Sequence, residues 1–169
     1  MERHEYTFEG ESPDIHEDAS VSRESTLVGD VTVEAGVTVW PGVVLRGDVA
    51  PVRLGEGTAI GDNAVLHGSS TEADALVGHA AVLNDSHVGE ATLVGFNATL
   101  SDATIGAGSL VAMGTVVPEG YDVPPDSFVY GTPARVTPLS EQDIDRDAIF
   151  EQFSSGEYAH LTDGHEDLF

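Results

Sequence analysis

The sequence predicts an all-β chain, a parallel coil of short strands closed at its end by an α-helix, and three observations carry that prediction. Apolar residues recur every six positions at Ile15, Val21, Leu27, Val33, Val39 and Leu45. A helix would scatter such residues over drifting faces and a lone strand asks for simple alternation, whereas a six-residue step describes short strands joined by tight turns. The series resumes after slips at Leu54, Ile60, Leu66, Val77, Leu83, Val88, Val94, Leu100, Ile105, Val111 and Val117, and hexad repetition is the signature of a parallel β-helix. Third, small or aliphatic residues (Val31, Val37, Val43, Ala64, Ala81, Ala98) stand four places after an anchor, where they fill a narrow interior. Gly61, Gly78, Gly89, Gly95 and Gly106 directly follow an anchor, which points to corners with unusual dihedrals or close backbone approach. A β-sandwich of many short strands is the competing architecture.

Three hexads make one coil of a triangular prism, so roughly eighteen residues advance the chain by one strand spacing of about 4.8 Å, and residues 15–117 span five to six coils. Handedness does not follow from the period. Residues 1–14 are polar and acidic and read as an N-terminal arm, either loose or a short edge strand. The β-helix domain occupies residues 15–138. From Val117 it carries Pro118, Pro124, Pro125, Pro133 and Pro138, too many for regular hydrogen-bonded strands, so an irregular wrap is expected. Residues 139–169 form a C-terminal helix and tail. Ser140 reads as the N-cap, with Glu141 and Asp143 in the first turn. Ile149 and Phe153, with Phe150 beside them, make an apolar face to pack on the prism, and Ile144 and Ala148 lie on its flank. Gly156 interrupts the helix, and the polar stretch from Thr162 to Phe169 reads as disordered.

A chain of 169 residues is one domain with at most an appendage. Its 30 acidic residues face six basic ones, every one of them arginine, for a net charge of −24. Such a chain repels itself in dilute buffer, but at about 1 M salt the screening length falls to roughly 3 Å, so a salt-loaded cytoplasm, as in a halophile, is the expected setting. The same charge excludes nucleic acid and anionic membranes as partners. No apolar run approaches a membrane span, and Met1 to Ser12 is too polar for a signal peptide. Absence of cysteine excludes disulfides and thiolate metal sites.

Of seven histidines, His4, His16, His160 and His165 sit in acidic segments and read as solvated. His67, His79 and His87 interrupt the coil itself. His67 follows anchor Leu66 and Asn84 follows anchor Leu83, so the two stack on one face in adjacent coils. His79 is two faces further round and meets His67 only across a subunit boundary. Three prisms about a three-fold axis would create three such meetings. Spacing alone leaves satisfied surface histidines as the alternative to a metal site. Trp40 and Tyr130 either line a pocket or pack in the core or an interface.

The block from Val39 to Thr58, beginning Val39-Trp40-Pro41-Gly42 and containing Leu45-Arg46-Gly47-Asp48, resembles the γ-class carbonic anhydrase family. So do Ala64-Val65-Leu66-His67, Val77-Gly78-His79-Ala80-Ala81-Val82-Leu83 and Tyr130-Gly131-Thr132-Pro133-Ala134-Arg135. The resemblance covers roughly residues 15–163. It implies a left-handed β-helix, a homotrimer, and a zinc (sometimes iron or cobalt) at each interface held by three histidines. A metal of that kind brings the pKa of bound water to about 7 and supports hydration of CO2 to bicarbonate, a lyase reaction. His67, and His79 from the neighbouring chain, match two ligand positions. Where metal-binding relatives have the third histidine this chain has Asn84, a neutral amide and a poor zinc partner beside imidazole. His87, about 10 Å further along the strand, and Asp85 are the alternative third ligands.

Many active relatives carry Asn and Gln where this chain has Ala59 and Gly61. Arg46, Asp48 and Asp62 match residues that in relatives lie beside the site and tie subunits together. Glu72 falls where some relatives carry a longer acidic excursion with a proton shuttle, and a lone exposed glutamate is the alternative. The resemblance therefore implies a homotrimeric γ-carbonic-anhydrase-like enzyme acting on CO2 and bicarbonate, with a degraded ligand set. A non-catalytic or weakly metal-binding member is the second expectation, and a hexapeptide acyltransferase using histidine as general base on a CoA thioester is the third. A mixed trimer with paralogues supplying what Asn84 lacks is also expected to be possible.

Overall fold

A computed structural model describes residues 4–154, 161–165 and 167–169, with backbone only for Phe153 and Ser154. The chain is a left-handed parallel β-helix of about seven turns with one short C-terminal helix. Its first face pairs His4–Tyr6, the start of Thr26–Val33, the start of Val44–Leu54, Val65–His67, Val82–Asn84, Thr99–Ser101 and Val116–Val117 in parallel register. The second face continues from the ends of the two long strands through Ser70–Thr71, His87–Val88, Thr104–Ile105 and Asp122–Val123. The third holds Ser20–Val21, Thr38–Val39, Ala59–Ile60, Leu76–Val77, Leu93–Val94, Leu110–Val111 and Ser127–Tyr130.

Hexad anchors line the inside. Leu27, Leu45, Leu66, Leu83 and Leu100 lie in one register column of the first face, and all are fully buried. Thr71 occupies the anchor place of the second face between Leu54 and Val88, which explains the gap in the apolar series there. Its hydroxyl is satisfied by Thr58 at 3.1 Å, so a buried polar atom is tolerated without an apolar residue. Of the two readings of the glycines after anchors, close approach holds at Gly95, where a Cβ would lie 2.5 Å from the Met113 backbone nitrogen of the next coil.

The three faces differ outside. The outer row of the first is Val44, Val65, Val82, Thr99 and Val116, and Val82 is 38% exposed. That of the second is polar: Arg53, Ser70, His87, Thr104 and Asp122. The third carries Leu76, Leu93 and Leu110, and Ile149 of the helix Arg146–Ser154 faces these leucines across a cleft of about 670 Å³.

Several local expectations are revised. Ser140 lies in a 3₁₀ turn, Leu139–Glu141, and the α-helix begins only at Arg146, where Asp145 Oδ1 accepts the Ala148 N–H at 3.0 Å. Asp145 thus takes the capping role because it stands three residues before that donor. The proline-rich stretch is partly regular: Ser127–Tyr130 pairs antiparallel with Arg135–Pro138, and its prolines fall outside or at the ends of those strands. The arm over residues 1–14, read as loose or an edge strand, contains in its described part the strand His4–Tyr6, paired with the next coil. The tail is not loose where described: Arg23 N–H donates to Leu168 O at 2.8 Å, and Phe169 and His165 meet Trp40 edge-on. Gly156 and the Phe153 side chain lie outside the described residues.

Candidate metal centre at the prism corners

The corner between the first and second faces gathers four of the residues singled out from the sequence. Register places Arg46, His67 and Asn84 in successive coils of one column, as the spacing predicted for His67 and Asn84. Asp48 arrives by a different route. Between Arg46 and Arg53 the chain takes seven steps, whereas their partners His67 and Ser70 are three steps apart, so the surplus four residues bulge outward with Val49 at 76% exposure. This excursion carries Asp48 over the His67 ring, with Oδ1 3.2 Å from Nε2. Arg46 holds the other carboxylate oxygen, at 2.6 Å from Nη2 and 3.2 Å from Nε. Its guanidinium beside Asp48 holds that carboxyl below the usual carboxylate range, against the opposing pull of burial.

The opposite side of the His67 ring is fixed by Asn84. The Asn84 amide nitrogen donates to Asp85 Oδ2 at 2.7 Å, which orients its carbonyl oxygen toward His67 Nδ1 at 3.0 Å. Nδ1 therefore carries a hydrogen, and Nε2 faces the Asp48 carboxylate, to which it donates unless a cation lies between them.

His79 stands at a different corner, between the third and first faces, as its twelve-residue offset implied. Its ring stacks on Phe96 at 4.8 Å between centroids. Nδ1 lies 2.8 Å from Asp62 Oδ2 and 3.0 Å from the Asp62 backbone N–H. These two contacts demand opposite tautomers: the carboxylate needs a hydrogen on Nδ1, and the amide needs a lone pair there. A cation at Nε2 would select the carboxylate contact. Gly61 permits this approach, since a Cβ there would fall 2.8 Å from the same Nδ1.

His87 and Glu72 belong elsewhere. His87 points outward on the polar second face, with Nδ1 2.8 Å from Ser70 Oγ and Nε2 3.4 Å from Glu72 Oε1, and Glu72 also accepts the Glu90 N–H. Neither joins His67. Trp40 packs under the tail and also lines the cleft beside the third face, whereas Tyr130 is stacked on Phe128 at 5.3 Å.

Among the described residues, no three His, Asp or Glu side chains of a single chain converge on one point. His67 and Asp48 offer two donors, and His79 is a corner away. The donors fit a metal only if a neighbouring subunit supplies the rest. Under that condition the chemistry is suitable at His67, whose Nδ1 is turned to the Asn84 carbonyl oxygen, the arrangement that orients metal-ligating histidines, and at His79 when its Nδ1 takes the Asp62 carboxylate contact rather than the amide one. The Asp48 excursion was not legible from the hexad count, although the nine-residue step from Leu45 to Leu54 marks its place.

No protein-family model matches the chain. It is 38% identical over 64 residues to a carbonic anhydrase of Geobacillus kaustophilus, covering 38% of this chain and 35% of that one. It is likewise 38% identical over 78 residues to an uncharacterized transferase, YtoA, of Bacillus subtilis, covering 43% and 46%. The matched stretches thus span under half the length of these relatives. Among solved structures, a putative acetyltransferase of Bacillus cereus superposes with a TM-score of 0.81 at 27% identity over 94% of this chain and 96% of that one. Transferase and carbonic anhydrase names therefore both occur among the relatives. The hexad prism and these likenesses together fit the hexapeptide-repeat, γ-carbonic-anhydrase-like superfamily of left-handed β-helices.

Proposed function

We propose that the protein is a γ-carbonic-anhydrase-like homotrimer that holds a divalent metal at each subunit interface and interconverts CO2 and bicarbonate. The observation that carries this reading is the position of the apolar outer row Val44, Val65, Val82 and Val116, which runs between the His79 corner and the His67 corner. Packing that face against a neighbour buries the row and brings His67 of one chain to His79 of the partner subunit. His67 and His79 would hold the metal, and Asn84 is the third position assigned by resemblance. Zinc in such a site lowers the pKa of its water to about 7, and iron or cobalt would take the same place. Asn84 and Asp62 orient the two imidazoles. Arg46, with its side chain about half exposed, supplies positive charge for a small anion beside the site.

A non-catalytic trimer is the second reading, favoured by the commitment of the Asn84 carbonyl to His67 and by the missing side-chain amides at Ala59 and Gly61. The experiment is metal analysis of protein purified in molar KCl, followed by CO2 hydration assays with zinc, iron or cobalt. A metal-loaded trimer that hydrates CO2 supports the first reading. A metal-loaded trimer without hydration supports the second, and a metal-free monomer removes both.

A further inference from the structure

Resting on the shared metal site proposed above, we infer that Asp48 rather than Asn84 is the third protein ligand. The centre is then a two-histidine, one-carboxylate site made of His67 and Asp48 of one chain and His79 of the partner subunit.

The assignment follows from the two sides of the His67 ring. On the Nδ1 side, Asn84 is locked by its bond to Asp85 and presents a carbonyl oxygen at 3.0 Å. Metal-bound histidines donate their second N–H to just such an oxygen, so Asn84 has the place of an orienting partner. On the Nε2 side stands Asp48 Oδ1 at 3.2 Å. Two donors each about 2.0–2.1 Å from a tetrahedral ion lie roughly 3.3–3.4 Å apart, so the pair is already separated by close to one tetrahedral edge. Once Nε2 gives up its hydrogen, its lone pair and a carboxylate oxygen would face each other, and a cation between them would turn repulsion into binding; without one, the Nε2 N–H donates to Asp48 Oδ1.

Asp48 is also the stronger donor. A carboxylate is anionic and an amide is not, and two imidazoles with one carboxylate is an established catalytic donor set for zinc. Arg46 occupies Oδ2 and leaves Oδ1 to the site. The four-residue excursion that places Asp48 has no counterpart at the later corners, where Asn84 and Ser101 are joined to His87 and Thr104 by three steps. In the competing arrangement His67 is protonated on both nitrogens and merely donates to Asn84 and Asp48, with no metal.

The test compares cobalt and zinc binding by wild type, Asp48→Asn, Arg46→Gln and Asn84→Ala in molar KCl, with light scattering for assembly and the visible absorption of bound Co2+ as a readout independent of activity. The expected result is loss of affinity by more than about 100-fold in Asp48→Asn, against the roughly 10–100-fold that losing an orienting partner costs in Asn84→Ala. The Co2+ spectrum should change in Asp48→Asn alone. Arg46→Gln breaks the same ion pair while keeping the carboxylate, so it should retain the metal; trimeric Arg46→Gln that loses metal equally would reduce Asp48 to a structural partner and overturn the assignment. Unchanged affinity in Asp48→Asn, with loss in Asn84→Ala, would overturn it in favour of Asn84 while the shared site stands. Wild-type trimers that bind neither metal would overturn the shared site itself.

Discussion

At the scale of single residues, charge pairs decide where the acidic surface is held down. Asp30 accepts from Arg53 Nη2 at 2.9 Å, and this hydrogen bond holds its carboxyl below the ordinary value, against the opposing pull of burial and with added attraction from the same guanidinium. A depressed folded pKa gives stability that is present above the unfolded carboxylate value near 3.9 and is lost as pH falls through the folded one. Asp30→Asn should therefore lower the melting temperature at neutral pH, and its difference from wild type should vanish as pH falls below about 4. Melting curves across pH read this directly; a constant difference down to pH 2 would assign the effect to packing. Asn84 shows what one residue can hide. Its place in the column beside His67 was legible from counting hexads, but its role was not, because an amide's function depends on which atom Asp85 captures.

At the scale of elements, the hexad anchor is the unit of stability. Leu83 is fully buried between Leu66 and Leu100, so Leu83→Ala should destabilise the chain by about 2–5 kcal/mol, in line with other buried leucines. Chemical denaturation at fixed salt measures it, and a loss under about 1 kcal/mol would mean that the coil collapses around the gap. These strands were legible because a six-residue period has few alternative readings. Ends and exceptions were harder. Thr71 broke the apolar series while keeping its place in the ladder, since a hydroxyl with a partner inside costs little. The helix start was misplaced because Ser140 and Asp145 both offer capping chemistry, and only the path of the chain over the third face selects Asp145. The Asp48 excursion left a trace as a long step between anchors, but its direction over His67 depends on packing across coils.

At the scale of the whole molecule, the three faces divide the work: one is covered by the helix and tail, one is polar, and one presents a valine row between two histidine corners. With a net charge of −24, assembly of three such chains should be salt-dependent. Melting temperature should rise between dilute buffer and molar KCl as the screening length drops from about 30 Å to roughly 3 Å, and a flat response would remove the case for a high-salt setting. The central claim is that His67 and His79 form one site between chains, and mixing variants tests it most directly. His67→Ala and His79→Ala homotrimers each lack every complete site. Unfolded and refolded together in molar KCl, they form mixed trimers with one intact interface each. The account predicts that zinc absent from both parents returns on mixing, at that interface. Zinc retained by either parent, or none recovered in mixed trimers proven by mass, would contradict it.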